Sequence, residues 1–94
     1  MQYDKILDEE LNLIKERCVK TTPGPWISYV EGRDHTSGSN FIMTGEGENR
    51  GEDLELIGAT IEDQDFIAHA KQDIPRLLDE IERLKKLIQV VGEK

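Results

Sequence analysis

Hydrophobic positions divide the chain into stretches of different period. From Tyr3 to Lys20 apolar residues stand at Tyr3, Ile6, Leu7, Leu11, Leu13, Ile14 and Cys18, the spacing of a helix with one apolar face. Asp4, Asp8, Glu9 and Glu10 lead this stretch while Lys15, Arg17 and Lys20 close it, an order that complements the helix dipole at both ends. The run Thr21-Thr22-Pro23-Gly24-Pro25-Trp26 stops the helix, because proline has no amide hydrogen and drives its predecessor out of the helical region. From Trp26 to Glu31 the period falls to two, with Trp26, Ser28 and Val30 on one side and Ile27 and Tyr29 on the other, which predicts a strand. Turn-forming residues from Gly32 to Ser39 separate it from a second apolar run, Asn40 to Thr44, so a hairpin with a long loop is expected. Beyond a glycine-rich, acidic loop, Leu54 to Ala59 offers a third strand.

Helical spacing returns after Thr60. Thr60-Ile61-Glu62-Asp63 reads as a helix start in which the threonine hydroxyl caps early amides and the acids face the positive end of the dipole. A short helix over 61–72 is expected to turn Phe66, Ile67 and Ala70 inward. Asp73-Ile74-Pro75 marks a second helix start, with Asp73 as cap and Pro75 in the first turn, and leaves open whether the two segments are collinear. From there Ile74, Leu77, Ile81, Leu84, Ile88 and Val91 alternate spacings of three and four, an a/d heptad seam. Leu78, Leu87 and Val90 widen the stripe, so one side of this helix is expected to pack on its own sheet and the other on a partner chain. The reading is a single α+β domain over 1–94: a helix in 1–20, a three-stranded antiparallel meander with variable acidic loops in 26–59, and a helical region in 60–91. That last region holds a short helix and then a long C-terminal helix.

Length and charge narrow the function classes. A chain of 94 residues supports one small core. Twelve basic residues against twenty acidic ones leave a net charge of −8, which repels phosphate backbones and anionic lipid; general nucleic-acid binding and membrane-surface binding are not expected. The excess is concentrated: residues 46–65 carry eight acids and one arginine. Such a segment is either a solvated loop leading into a helix start or an acidic surface for a basic partner protein. Cys18 is the only cysteine and falls in an apolar helical pattern, as a buried thiol in a reducing compartment would. With no apolar run near the roughly 18 residues of a membrane span and no charged-then-apolar leader, a cytoplasmic location is expected.

Candidate chemistry is sparse. His35, His69 and Cys18 are widely separated, and the acids from Glu46 to Glu55 do not follow a calcium-loop order, so neither a metal nor a cofactor is expected. Asp34, His35 and Ser37 are close in sequence but lie among turn-forming residues, which leaves an enzyme acting through His35 as a distant alternative. The better candidates are anion donors in the loops, Arg33, His35, Ser37 and Arg50 with Thr36 and Ser39, together with Trp26 and Tyr29 as surfaces on which a base could stack. In an oligomer such loops can converge from two chains. For Trp26 the plain alternative is a core anchor behind a rigid turn.

Two phrases carry a family resemblance: Thr22-Pro23-Gly24-Pro25-Trp26, and Asp63, Phe66, Ile67, Ala68, Ala70, Lys71, Asp73-Ile74-Pro75, Leu77-Leu78 and Glu80-Ile81-Glu82-Arg83-Leu84. This pairing resembles small phage and prophage accessory proteins, similar to those encoded in the early regions of lambdoid phages. The resemblance implies a phage or mobile-element origin and a helper role in the host cytoplasm; it carries no activity residue by residue. The resulting expectation is a small, non-catalytic, homo-oligomeric binding protein that sequesters a nucleotide-derived host immune signal. The alternative is an acidic inhibitor that binds a host nuclease or regulator, in the manner of a nucleic-acid mimic.

Overall fold

The computed structural model describes residues 5–36 and 38–92. It contains helix α1 (Asp8–Lys20), a hairpin of β1 (Trp26–Tyr29) and β2 (Phe41–Thr44), a 3-10 turn at Gly47–Asn49 and helix α2 (Ile61–Gly92). Tyr3 and Ser37 lie outside the described residues. The chain forms two compact units, a helical unit of Met1–Thr21 with Ile74–Lys94 and a hairpin unit of Thr22–Asp73. No helix among the described residues is long and apolar enough to cross a membrane.

In the helical unit, α1 begins at Asp8 because Leu7 is extended and serves as the cap, its amide held by Glu10 Oε1 at 3.4 Å. The helix ends where the proline turn requires. Thr21 is extended and its hydroxyl donates to the Cys18 carbonyl at 2.9 Å. Leu11, Ile14 and Cys18, three and four residues apart, are the half-buried positions of α1. Leu11 lines one groove with Leu78 and Ile81, and Cys18 lines a second with Pro75 and Leu78. Lys85 pairs with the Asp8 carboxylate and holds it below the ordinary carboxylate range.

The hairpin unit is built on an antiparallel pairing that sets Trp26 opposite Thr44, Ile27 opposite Met43, Ser28 opposite Ile42 and Tyr29 opposite Phe41. Val30, Ile42, Thr44, Gly45, Gln64 and Ala68 are its buried residues. Thr60 and Asp63 cap α2 reciprocally, Asp63 N donating to Thr60 Oγ1 at 3.0 Å and Thr60 N to Asp63 Oδ2 at 3.1 Å. The Gly24–Pro25 peptide is cis.

Three features differ from the sequence expectation. The third strand is reduced to one bridge, in which Ile42 and Leu54 exchange two backbone hydrogen bonds of 2.8 Å. A turn at Ile57 and Gly58, where glycine takes φ +82°, diverts the chain before pairing can extend. The short and long helices are a single α2, which runs through Pro75; tolerating an interior proline costs one i to i−4 hydrogen bond. The inward face of its first turns is also different. Phe66 is 74% exposed and Ile67 38%, while Gln64 and Ala68 are buried.

Candidate functional site

The face of α2 that meets the hairpin is a stripe of Gln64, Ala68 and Gln72, four residues apart. Alanine keeps the approach close, and the two glutamines bond to the strands. The side-chain amide of Gln72 accepts from Trp26 N at 2.8 Å and donates to Trp26 O at 3.1 Å, as a neighbouring strand would. Gln64 Nε2 donates to Ser28 Oγ at 2.8 Å and to the carbonyls of Tyr29 and Phe41, both at 3.2 Å.

From Gln64 a polar chain runs outward to the hairpin loop. Ser28 hydrogen-bonds the Asp65 carboxylate, which also receives a two-pronged contact from Arg33, Nη1 to Oδ2 at 2.8 Å and Nη2 to Oδ1 at 3.0 Å. Arg33 Nε donates to Asp34 Oδ2 at 2.9 Å, and the same oxygen receives the Val30 amide at 2.8 Å. These contacts, Arg33 first and Ser28 second, hold Asp65 down at about 2. The Val30 amide and then Arg33 hold Asp34 below the usual carboxylate range. The two carboxylates in turn raise Arg33 above its ordinary value, so all three groups stay charged.

Arg33, Asp65, Ser28, Trp26, His69 and Gln72 line an open cleft of about 410 Å3. Trp26 is half-buried there, its Nε1 donating to Thr22 O at 3.0 Å, with the Lys71 ammonium 5.7 Å from the ring centre. The arrangement presents one cation held between two anions beside an indole already engaged by a lysine.

The sequence candidates therefore separate. Trp26 and Arg33 share the cleft. Tyr29 and His35 instead pack with Phe41, the Tyr29 and Phe41 rings stacked at 5.3 Å and the His35 and Phe41 rings 5.2 Å apart. Arg50 lies in the loop after the 3-10 turn, pairing with Asp53 at 2.7 Å and with the Gly51 carbonyl. Ser37 is outside the described residues. The loop around His35 is more tightly tied than its turn-rich sequence predicts: the Val30 carbonyl accepts from Arg33 N and Asp34 N, Gly32 N donates to His35 O at 2.8 Å, and Glu31 N donates to Asn40 Oδ1. Sequence reasoning missed Ser28, Asp65, His69, Gln64 and Gln72. The available signal was the four-residue spacing of two glutamines around an alanine, opposite the bulky residues.

The Asp65 pairing predicts an acid response. Its folded-state value lies below the ordinary 3.8, so the unfolded chain binds the proton more readily, and the stabilisation is present above about pH 4 and lost as pH falls towards 2. Asp65→Asn is expected to shrink this acid-induced loss without removing it, because Asp34 is shifted in the same direction. Acid titration followed by Trp26 fluorescence checks this; equal slopes in both proteins would count against the pairing.

Comparison with known protein families, curated proteins and solved structures found no match. The phage-type resemblance thus rests on the two sequence phrases.

Proposed function

We propose that the protein is a non-catalytic accessory protein whose acidic segment binds a basic partner protein, as a phage-type inhibitor of a host nuclease or regulator would. The observation that carries this reading is the distribution of paired and unpaired charge. Arg33 and Arg50 are each matched to carboxylates of their own chain. Glu46, Glu48, Glu52, Glu55 and Glu62 are exposed and have no ion pair among the described residues. Ile57, in the same segment, is fully exposed and supplies an apolar contact at the turn. Complementary charge of this kind steers encounter with a basic surface and weakens with salt.

The test is capture from bacterial lysate with the wild type and with a Glu48→Lys, Glu52→Lys, Glu55→Lys variant. Basic proteins are expected on the wild type, with retention falling at least tenfold on the variant. An identical captured set on both would overturn the reading.

The second reading is sequestration of a nucleotide-derived signal in the Trp26 and Arg33 cleft, and the cleft itself is what supports it. Phosphate there would meet the two N–H donors that Arg33 does not give to Asp34 and Asp65, against the negative charge of those two carboxylates. Native mass spectrometry with cyclic nucleotides distinguishes the two: a retained nucleotide lost in Arg33→Ala favours this second reading.

A further inference from the structure

Within the helical unit, the heptad pattern of α2 is an apolar face that no element among the described residues covers. Ile74 is 39% exposed, Leu77 61%, Leu84 44%, Ile88 72% and Val91 68%, with Leu87 beside them at 50%. The side of α2 that shares a groove with α1 is a different one, represented by Leu78, Lys85 and Gln89, and Ile81 at its margin is half-buried.

We propose that this face docks a second copy of the chain, with the two α2 helices parallel and in register. The residue types select the occupant. Ile74, Ile81 and Ile88 occupy every a position, while Leu77, Leu84 and Val91 occupy d. In parallel coiled coils, β-branched residues at a with leucine at d favour two strands. Charge selects the direction. In a parallel pair each g residue faces the e residue five positions later in the other helix, which sets Glu80 opposite Lys85 twice. An antiparallel pair with the same a and d layers sets Glu80 near Leu87 and Lys85 near Leu78, so neither charge meets its opposite. Glu80 pairs with Arg83, and Lys85 with Asp8, within the chain. The ammonium has three donors, and its second partner is the other copy's Glu80. Pro75 occupies a b position, outside the seam. The exposed seam residues with Leu87 present roughly 600 Å2 per chain, so two copies together can bury up to about 1,200 Å2, the lower bound for a specific interface.

Sedimentation equilibrium of the full chain at about 100 µM is expected to give a dimer; a monomer, or a trimer or larger species, overturns the proposal. Leu84→Asp is expected to sediment as a monomer with unchanged Trp26 fluorescence. If that variant fails to fold, Ile88→Glu replaces it at a more exposed position, and a dimer in a folded seam variant counts against the seam. Direction is read in a Cys18→Ser background. Ile88→Cys is expected to form a homodisulfide in glutathione buffer, whereas a mixture of Leu77→Cys and Ile88→Cys chains that cross-links mainly 77 to 88 overturns the parallel arrangement. The charge-reversed Glu48, Glu52 and Glu55 variant is expected to remain a dimer, which separates this inference from the partner-binding reading.

Discussion

Gln64→Leu is expected to destabilise the hairpin unit by about 2–4 kcal/mol, although leucine is similar in size and more apolar. Gln64 is 4% exposed and its Nε2 serves three acceptors, the Ser28 hydroxyl and the Tyr29 and Phe41 carbonyls. Leucine fills the space and serves none of them, so three part-buried oxygens lose a donor. The loss extends to the cleft, since Ser28 also hydrogen-bonds Asp65. Urea unfolding followed by Trp26 fluorescence measures the effect. A Gln64→Leu protein as stable as the wild type would show that these contacts contribute little.

Gly45→Ala is the second large effect, expected to cost about 3 kcal/mol or more. Gly45 has φ +70°, a region that disfavours side chains, and a Cβ built there lies 2.1 Å from the Asn49 carbonyl oxygen. That oxygen belongs to backbone, so relief requires moving the 3-10 turn and with it the strand end, where Gly45 N donates to Pro25 O and Gly51 N to Thr44 O. Gly58 provides the control. It too has positive φ, at +82°, but nothing lies within 4 Å of the added carbon. Gly58→Ala should therefore cost only the conformational penalty of about 1–2 kcal/mol. Thermal unfolding of the two variants separates clash from conformation, and equal losses would remove the argument for the Asn49 contact.

Both predictions concern residues whose importance the sequence obscures. Glutamine is usually exposed, and a periodicity reading of 61–72 turns Phe66, Ile67 and Ala70 inward and gives Gln64 and Gln72 no part in the core. In the fold Ala68 is buried between two glutamines that bond to the strands, which there need donors and acceptors more than they need bulk. Arg33 is similar. Its loop position marks it as an anion donor, but Asp65, thirty-two residues away, claims its fork. Arg50 is claimed by a nearer residue, Asp53, and that pairing was open to inspection in the sequence.

What the sequence determined by itself is local in origin. The end of α1 at Thr21, the reciprocal Thr60 and Asp63 cap, the extended runs of β1 and β2 and the 3–4 spacing of the seam each arise from neighbours within about four residues. Net charge and its concentration in 46–65 are likewise properties of composition. Tertiary structure alone decided that Pro75 lies inside one helix, that the third strand stops at Leu54, which side of α2 meets the hairpin, and which carboxylates hold the loop arginines. These outcomes depend on backbone approach and on which polar groups are removed from water together, and neither is encoded in the spacing of residues along a single segment.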